Sequence, residues 1–441
     1  MTADSLLIPN ARLRTRDRVI TVPVDWENPS RFGTLQVFAR EVVDPAKDSQ
    51  DLPLLLFLQG GPGGSSPRPM GGGWLAKATA THRVVLLDQR GTGRSTPITP
   101  QTLAQFGPGA EGTAAGANYA ACFRADSIIR DAEQLRTEIY GGRQWETLGQ
   151  SYGGFLTLTY LSQAPHALKA CYVTGGIPGI TTSAEDVYRA TFATQLRRNA
   201  QFRAAYPEDG QLLDTIADLL ESEDIRLPDG DQLTVRRLQT LGMSLGMGTG
   251  ADSLHWLLDT AFDTAADGSR GTLSAGFLAA VGQKTDYSSN PLYMMLHQTI
   301  YHQGAREPGW AAQRVVAEMG AYDPAARPLQ LTGEGTFPWM FTEFSALRPF
   351  GPVAEALAAR EFWPNLYDVD RLASNEVPVA AVQYVADPFV DLGLAQQTAA
   401  QVGNLNLWIT NEYLHDGLRA DGNLILGKLF DLVSGRTTVH N

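Results

Sequence analysis

The sequence predicts an α/β fold: a mostly parallel, doubly wound sheet interrupted by a large helical insertion. Three observations carry that prediction. Short, solid apolar runs such as "LPLLLFL" (52–58) and "RVVLL" (83–87) are bounded by glycine or charge, as in strands buried on both faces. Helical and strand patterns alternate through the first 180 residues, which implies right-handed crossovers. Buried-strand runs then largely vanish until Val377.

Taken in order, "RVITVPVDW" and "GTLQVFAREV" alternate in polarity around the turn "ENPSRFG" and read as an antiparallel pair. The runs at 52–58 and 83–87 follow, ending in the polar loops "QGGPGGSS" and "DQRGTGRS". Residues 125–140 put Ile128, Ile129, Leu135 and Ile139 on one helical face, with Gly141-Gly142 as a stop. "WETLGQ" is a short strand, "GGFLTLTYLSQA" a helix and "ALKACYVTGG" the sixth strand. Residues 181–365 carry helical spacing, as in "DGQLLDTIADLLESE"; within them "GMSLGMGTG" (242–250) reads as a flexible loop. Strands return in "VPVAAVQYV" and "LNLWIT", and the helix "LILGKLFDLVSG" follows. The expected organisation is therefore a core in two parts, 1–180 and 366–441, around a helical domain at 181–365.

Composition narrows the function. Of 441 residues 43% are hydrophobic and 19% charged, and the net charge is -12 with no block of one sign. That argues against nucleic acid or an anionic membrane surface as partner, since both need a basic patch. The two cysteines, Cys122 and Cys171, belong to no CxxC or Cys/His cluster, and no metal-ligand spacing such as HExxH occurs, so neither metal nor cofactor is expected. With no signal-like N-terminus and no long apolar run, the expected setting is cytoplasmic. Nothing indicates an oligomeric state.

The chemistry centres on Gly149-x-Ser151-x-Gly153, in "GQSYGG" between a strand and a helix. A serine on such a strained turn needs neighbours without side chains, and its hydroxyl is pushed out above the sheet. It also needs a base. Of seven histidines, His82 precedes it and His166 ends the helix behind it; His255, His297 and His302 fall in the insertion, and His440 is penultimate. His415, in "NEYLHDG" after the last strand, remains. The acid belongs on the loop after the preceding strand, where "VQYVADPFVD" offers Asp387, preferred, and Asp391, which looks more like a helix cap. Oxyanion donors are expected at the N–H of Tyr152 and at Gly60 or Gly61 in "QGGPGG".

Six ordered segments, "LQGGPGG", "DQRGTGRS", "GQSYGGF", "TGGIPG", "TGEGTFPWMF" and "NEYLHDGLRADG", together resemble the proline iminopeptidases in their longer bacterial form. The resemblance spans nearly the whole chain. It implies an α/β-hydrolase fold with a helical cap inserted after the sixth strand. It also implies release of N-terminal proline from short peptides through an acyl-enzyme on Ser151, with Asp387 and His415 completing the triad. Acidic cap residues receive the substrate's ammonium in that family, and Glu334 in "TGEGTF" is the matching residue. Where comparable members carry a second glutamate, this chain has Gln298, and Gln59 stands where shorter members have histidine. Phe337, Trp339 and Phe341 either wall a pyrrolidine pocket or form cap core; Glu412 either helps hold the amine or anchors its loop. Two other readings stand beside this one: the same machinery releasing di- or tripeptides or cleaving esters and amides, and a non-catalytic binding protein on a hydrolase scaffold.

Overall fold

Nine strands form one sheet, described by a computed structural model that covers residues 5–305 and 309–439. In chain order they are β1 (Leu6–Ile8), β2 (Leu13–Pro23), β3 (Thr34–Val43), β4 (Leu54–Leu58), β5 (Arg83–Asp88), β6 (Trp145–Gln150), β7 (Leu168–Thr174), β8 (Val379–Tyr384) and β9 (Leu405–Thr410). Their spatial order is β1-β2-β3-β5-β4-β6-β7-β8-β9. The pairs β1/β2, β2/β3 and β3/β5 are antiparallel, and all later pairs are parallel. The large, mostly parallel sheet is thus the one the apolar runs predict. The short β1 escapes the sequence pattern: three residues, two of them exposed, carry too little signal to be read.

Why β4 is solidly apolar is clear from its two faces. Leu54, Leu56 and Leu58 join one core cluster with Ile128, Ile129 and Leu156 of the helices Ala125–Tyr140 and Tyr152–Gln163. Leu55 and Phe57 point the other way, to Leu75, Ile425 and Leu429 of the helices Gly73–Thr79 and Gly422–Val433. Each such side chain removed from water contributes about 1.5–3 kcal/mol before entropy is counted. Among the described residues no helix is long and apolar enough to cross a membrane.

Between Thr174 and Val379 the chain leaves the sheet. It forms helices from Ala184–Ala205 to Gly351–Ala358 and a small hairpin, Phe262–Thr264 with Arg270–Leu273. Part of this segment has its own core, with Leu213, Ile216, Leu238, Leu254 and Phe277. The stretch expected to be a flexible loop at 242–250 is instead largely ordered. Thr240–Gly246 is a 3-10 helix, and Gly246 presses against Phe389, where an added Cβ would lie 2.3 Å from the ring.

Candidate active site

Ser151 sits where β6 gives way to the helix Tyr152–Gln163, with φ 55° and ψ −123°. A non-glycine residue holds such a conformation only when its surroundings enforce it. Here Ser151 N donates to Thr174 O at 2.9 Å and Ser151 O accepts from Gly154 N at 2.7 Å. Packing explains the glycines: a Cβ on Gly153 would lie 1.9 Å from Leu58 O, and one on Gly149 2.3 Å from Gly153 O. Strand, turn and helix close on each other only without side chains at those points.

Two later loops complete the arrangement. His415 Nε2 is 2.9 Å from Ser151 Oγ, and His415 Nδ1 is 2.7 Å from Asp387 Oδ2. The other oxygen of Asp387 accepts from the backbone N–H groups of Phe389 and Val390, at 2.8 and 3.2 Å. Asp391 caps the helix Leu392–Ala399 through Leu394 N. The cap region secures the histidine, whose N donates to Gly246 O at 3.1 Å, and Phe389 of the loop after β8 stands edge-on to the imidazole at 4.9 Å. Burial, the largest influence, favours the neutral ring of His415. The charge and hydrogen bond of Asp387, with Glu334 and Asp416 adding to them, outweigh it and hold the pKa above the usual 6.5.

Ser151, His415, Gly60, Gly61 and Glu334 line one cavity of about 890 Å³. The Gly60–Gly61 loop lies against the nucleophile, since a Cβ on Gly60 would come within 3.0 Å of Ser151 Cβ. Tyr152 begins the helix after the serine, its N–H at the positive end of the helix dipole. Glu334 accepts a short hydrogen bond from Tyr293 Oη and lies 3.2 Å from His297 Nε2. Burial alone would raise the Glu334 pKa, but His297 and Tyr293 overcome that and keep it below 4.5.

Other candidates lie elsewhere. Gln298 does not line the cavity: it is buried, its Nε2 donates to Gly309 O at 2.6 Å, and its Oε1 accepts from Ala311 N at 2.7 Å. With both ends of the amide bound to backbone, it serves to pin the cap chain. Phe337 is likewise core, stacked between Phe192 and Trp339, and neither Phe337 nor Trp339 lines the cavity. Phe341 is buried in the same cluster. Glu412 is exposed and turned onto Thr410, whose Oγ1 donates to its Oε2 at 3.3 Å, so it anchors the loop. His440 falls outside the described residues. The aromatic wall comes instead from Tyr287 and Tyr293, stacked at 6.1 Å and unmarked in the sequence.

The sequence profile of the alpha/beta hydrolase fold matches residues 53–265. The chain is 42% identical to a proline iminopeptidase of Aeromonas sobria over 93% of its length and 95% of the relative's. The chain belongs to the proline iminopeptidase family. A second member, from Aspergillus aculeatus, is 33% identical over 96% of this chain and 95% of its own. Among solved structures, the proline iminopeptidase-related protein of Thermus thermophilus is similar at 14% identity and a TM-score of 0.40, covering 95% of this chain and 98% of that one. Proline iminopeptidases with an α/β-hydrolase core are serine aminopeptidases, and this chain is one of them.

Proposed function

We propose that the enzyme removes N-terminal proline from short peptides, with Ser151 as nucleophile, His415 as base and Asp387 as the acid that orients it. The observation that carries the proposal is the presence of Glu334 in the same cavity as Ser151 and His415. A half-buried carboxylate beside an acyl-transfer centre is the group a substrate's ammonium needs in place of water. Once the amine is seated there, the first carbonyl of the peptide is the one within reach of the serine.

In this reading His415 Nε2 takes the Ser151 proton as Oγ attacks that carbonyl carbon. The tetrahedral oxygen is received by the N–H of Tyr152 and one from Gly60 or Gly61, each such donor being worth about 2.7–4 kcal/mol in the transition state. Collapse breaks the C–N bond, and the leaving amine takes the proton from His415. Water, deprotonated by the same imidazole, then attacks the prolyl ester and frees Ser151. Asp387 stabilises the imidazolium that forms. A capped cavity favours short peptides, and two unpaired cysteines suit a reducing, cytoplasmic setting.

Hydrolysis of prolyl-, alanyl- and N-acetylprolyl-arylamide tests the proposal, with Glu334→Gln beside the wild type. Cleavage confined to free-amine compounds, fastest for prolyl and with its KM raised in the variant, is expected. Equal cleavage of the acetylated compound would leave a hydrolase of other amides and remove Glu334 from substrate binding.

A further inference from the structure

His297 has no task in that mechanism, yet it touches the residue that gives the cavity its selectivity. It is 1% exposed and does not line the void. Its Nε2 lies 3.2 Å from Glu334 Oε2 but off the line a hydrogen bond requires, so charge couples the two more than a directed bond. Its Nδ1 faces the hydroxyl of Tyr188 at 3.2 Å.

The surroundings leave this imidazole to decide the charge of the pair. Tyr188 packs against it from the helix Ala184–Ala205, Tyr293 from Pro291–Leu296 and Tyr301 from the adjoining turn, with ring centroids 6.3, 5.1 and 5.7 Å away. Burial first, and then the charge of Glu334, push all three phenols well above 10, so they stay neutral. Beyond them the charged groups are Glu185, felt by Tyr188, Asp387, felt by Tyr301, and His415, felt by Glu334. With the imidazole cationic, Glu334 is held below 4.5 as a carboxylate; with it neutral, the hydroxyl of Tyr293 still donates to that carboxylate. The His297–Glu334 pair therefore carries one negative charge when the imidazole is neutral and none when it is protonated.

We propose that His297 is a proton-operated competitor for the substrate's amine: neutral, it leaves Glu334 free to take an ammonium, and protonated, it occupies that carboxylate's charge. The inference rests on Glu334 being the amine's receptor. Proton and ammonium then exclude each other, and by linkage each weakens the other's binding equally. Amine affinity falls up to tenfold per pH unit once His297 is protonated, and binding in that range expels a proton. The substrate's own amine, with a pKa of about 8, is charged throughout and is not the source of the fall.

Pyrrolidine, a cyclic secondary amine without a carbonyl to attack, is the probe. Its inhibition constant against prolyl-arylamide hydrolysis is measured across the acid and neutral range for wild type and His297→Gln. His415 is present in both proteins, and loss of His297 can only steepen the share of the fall that comes from Glu334, so a shallower slope in the variant reports His297. The expected result is a constant that climbs toward tenfold per unit as pH falls in the wild type and climbs less steeply in the variant, where only Glu334, with Tyr293 as its remaining donor, and His415 still titrate. An unchanged slope in His297→Gln overturns the proposal. Should that variant not fold, calorimetry of pyrrolidine binding to His415→Ala, which has no proton at 415 to release, in two buffers of different ionisation enthalpy decides. A proton released at the acid end supports the inference, and no release at any pH overturns it. Pyrrolidine that fails to compete at every pH would instead remove Glu334 as the amine's receptor. Competition of equal strength at every pH would keep Glu334 and discard His297.

Discussion

Ser151 Oγ and His415 Nε2 stand 2.9 Å apart, though 264 positions separate them in the chain. One arrives on the turn after β6 and the other on the loop after β9, and Asp387 reaches the imidazole from the loop after β8. The parallel strands bring all three loops to one end of the sheet, and the cap holds the arrangement there. His415 N is bound to Gly246 O and Gly248 N to Asp416 Oδ1.

The two aspartates of the β8 loop have different work, and substitution separates them. Asp387→Asn is expected to lower kcat about 10⁴-fold, because the imidazole loses the partner that sets its tautomer and stabilises its cation. Asp391→Ala loses a helix cap and about 1 kcal/mol of stability, with kcat nearly unchanged. Steady-state kinetics and denaturant titration of both variants check this; the reverse pattern would make Asp391 the acid.

The acid limb of kcat follows from the raised pKa of His415. A base works only when neutral, and a raised pKa keeps the proton on to higher pH. Activity is therefore expected to fall as pH drops through a midpoint above 6.5. Since Asp387 is the main opposing influence, Asp387→Asn lowers that midpoint. A limb that does not move in the variant would contradict the assignment.

The turn around the nucleophile tolerates no added methyl. Gly153→Ala places a Cβ 1.9 Å from Leu58 O, which neither backbone can avoid without moving. A loss on the order of 1–3 kcal/mol of stability is expected, together with reduced kcat from a displaced Ser151. A variant with wild-type unfolding and turnover would mean that the strand and helix are not held so closely.

How much can be read from the chain alone depends on whether the signal is local. The glycines around Ser151, the solid runs of β4 and β5, and the positions of Asp387 and His415 after late strands are all visible within a few residues. The surroundings of Glu334 are not, because Tyr293 and His297 meet it only through the packing of the cap. His297 stands in view in "LHQTIYHQG", but its place in the insertion gives no hint that it reaches the site. Gln298 and Phe337 show the converse. An amide or a ring in a plausible segment gives no sign of whether it faces a cavity or its own backbone and core.

That distinction is itself open to measurement. Phe337→Ala is expected to cost about 3–5 kcal/mol in unfolding free energy, as a buried ring lost from a packed stack. KM for prolyl-arylamide changes little in comparison. A variant of wild-type stability with a strongly raised KM would return Phe337 to the substrate pocket.

The mechanism rests on a covalent intermediate at Ser151. Wild-type enzyme is mixed with excess prolyl ester, quenched in acid within the first turnovers, digested and analysed by mass spectrometry. The predicted result is the peptide containing Ser151 heavier by one prolyl residue, and no such species from Ser151→Ala or from N-acetylproline ester. Turnover without any adduct on Ser151, or an adduct on another side chain, would contradict it.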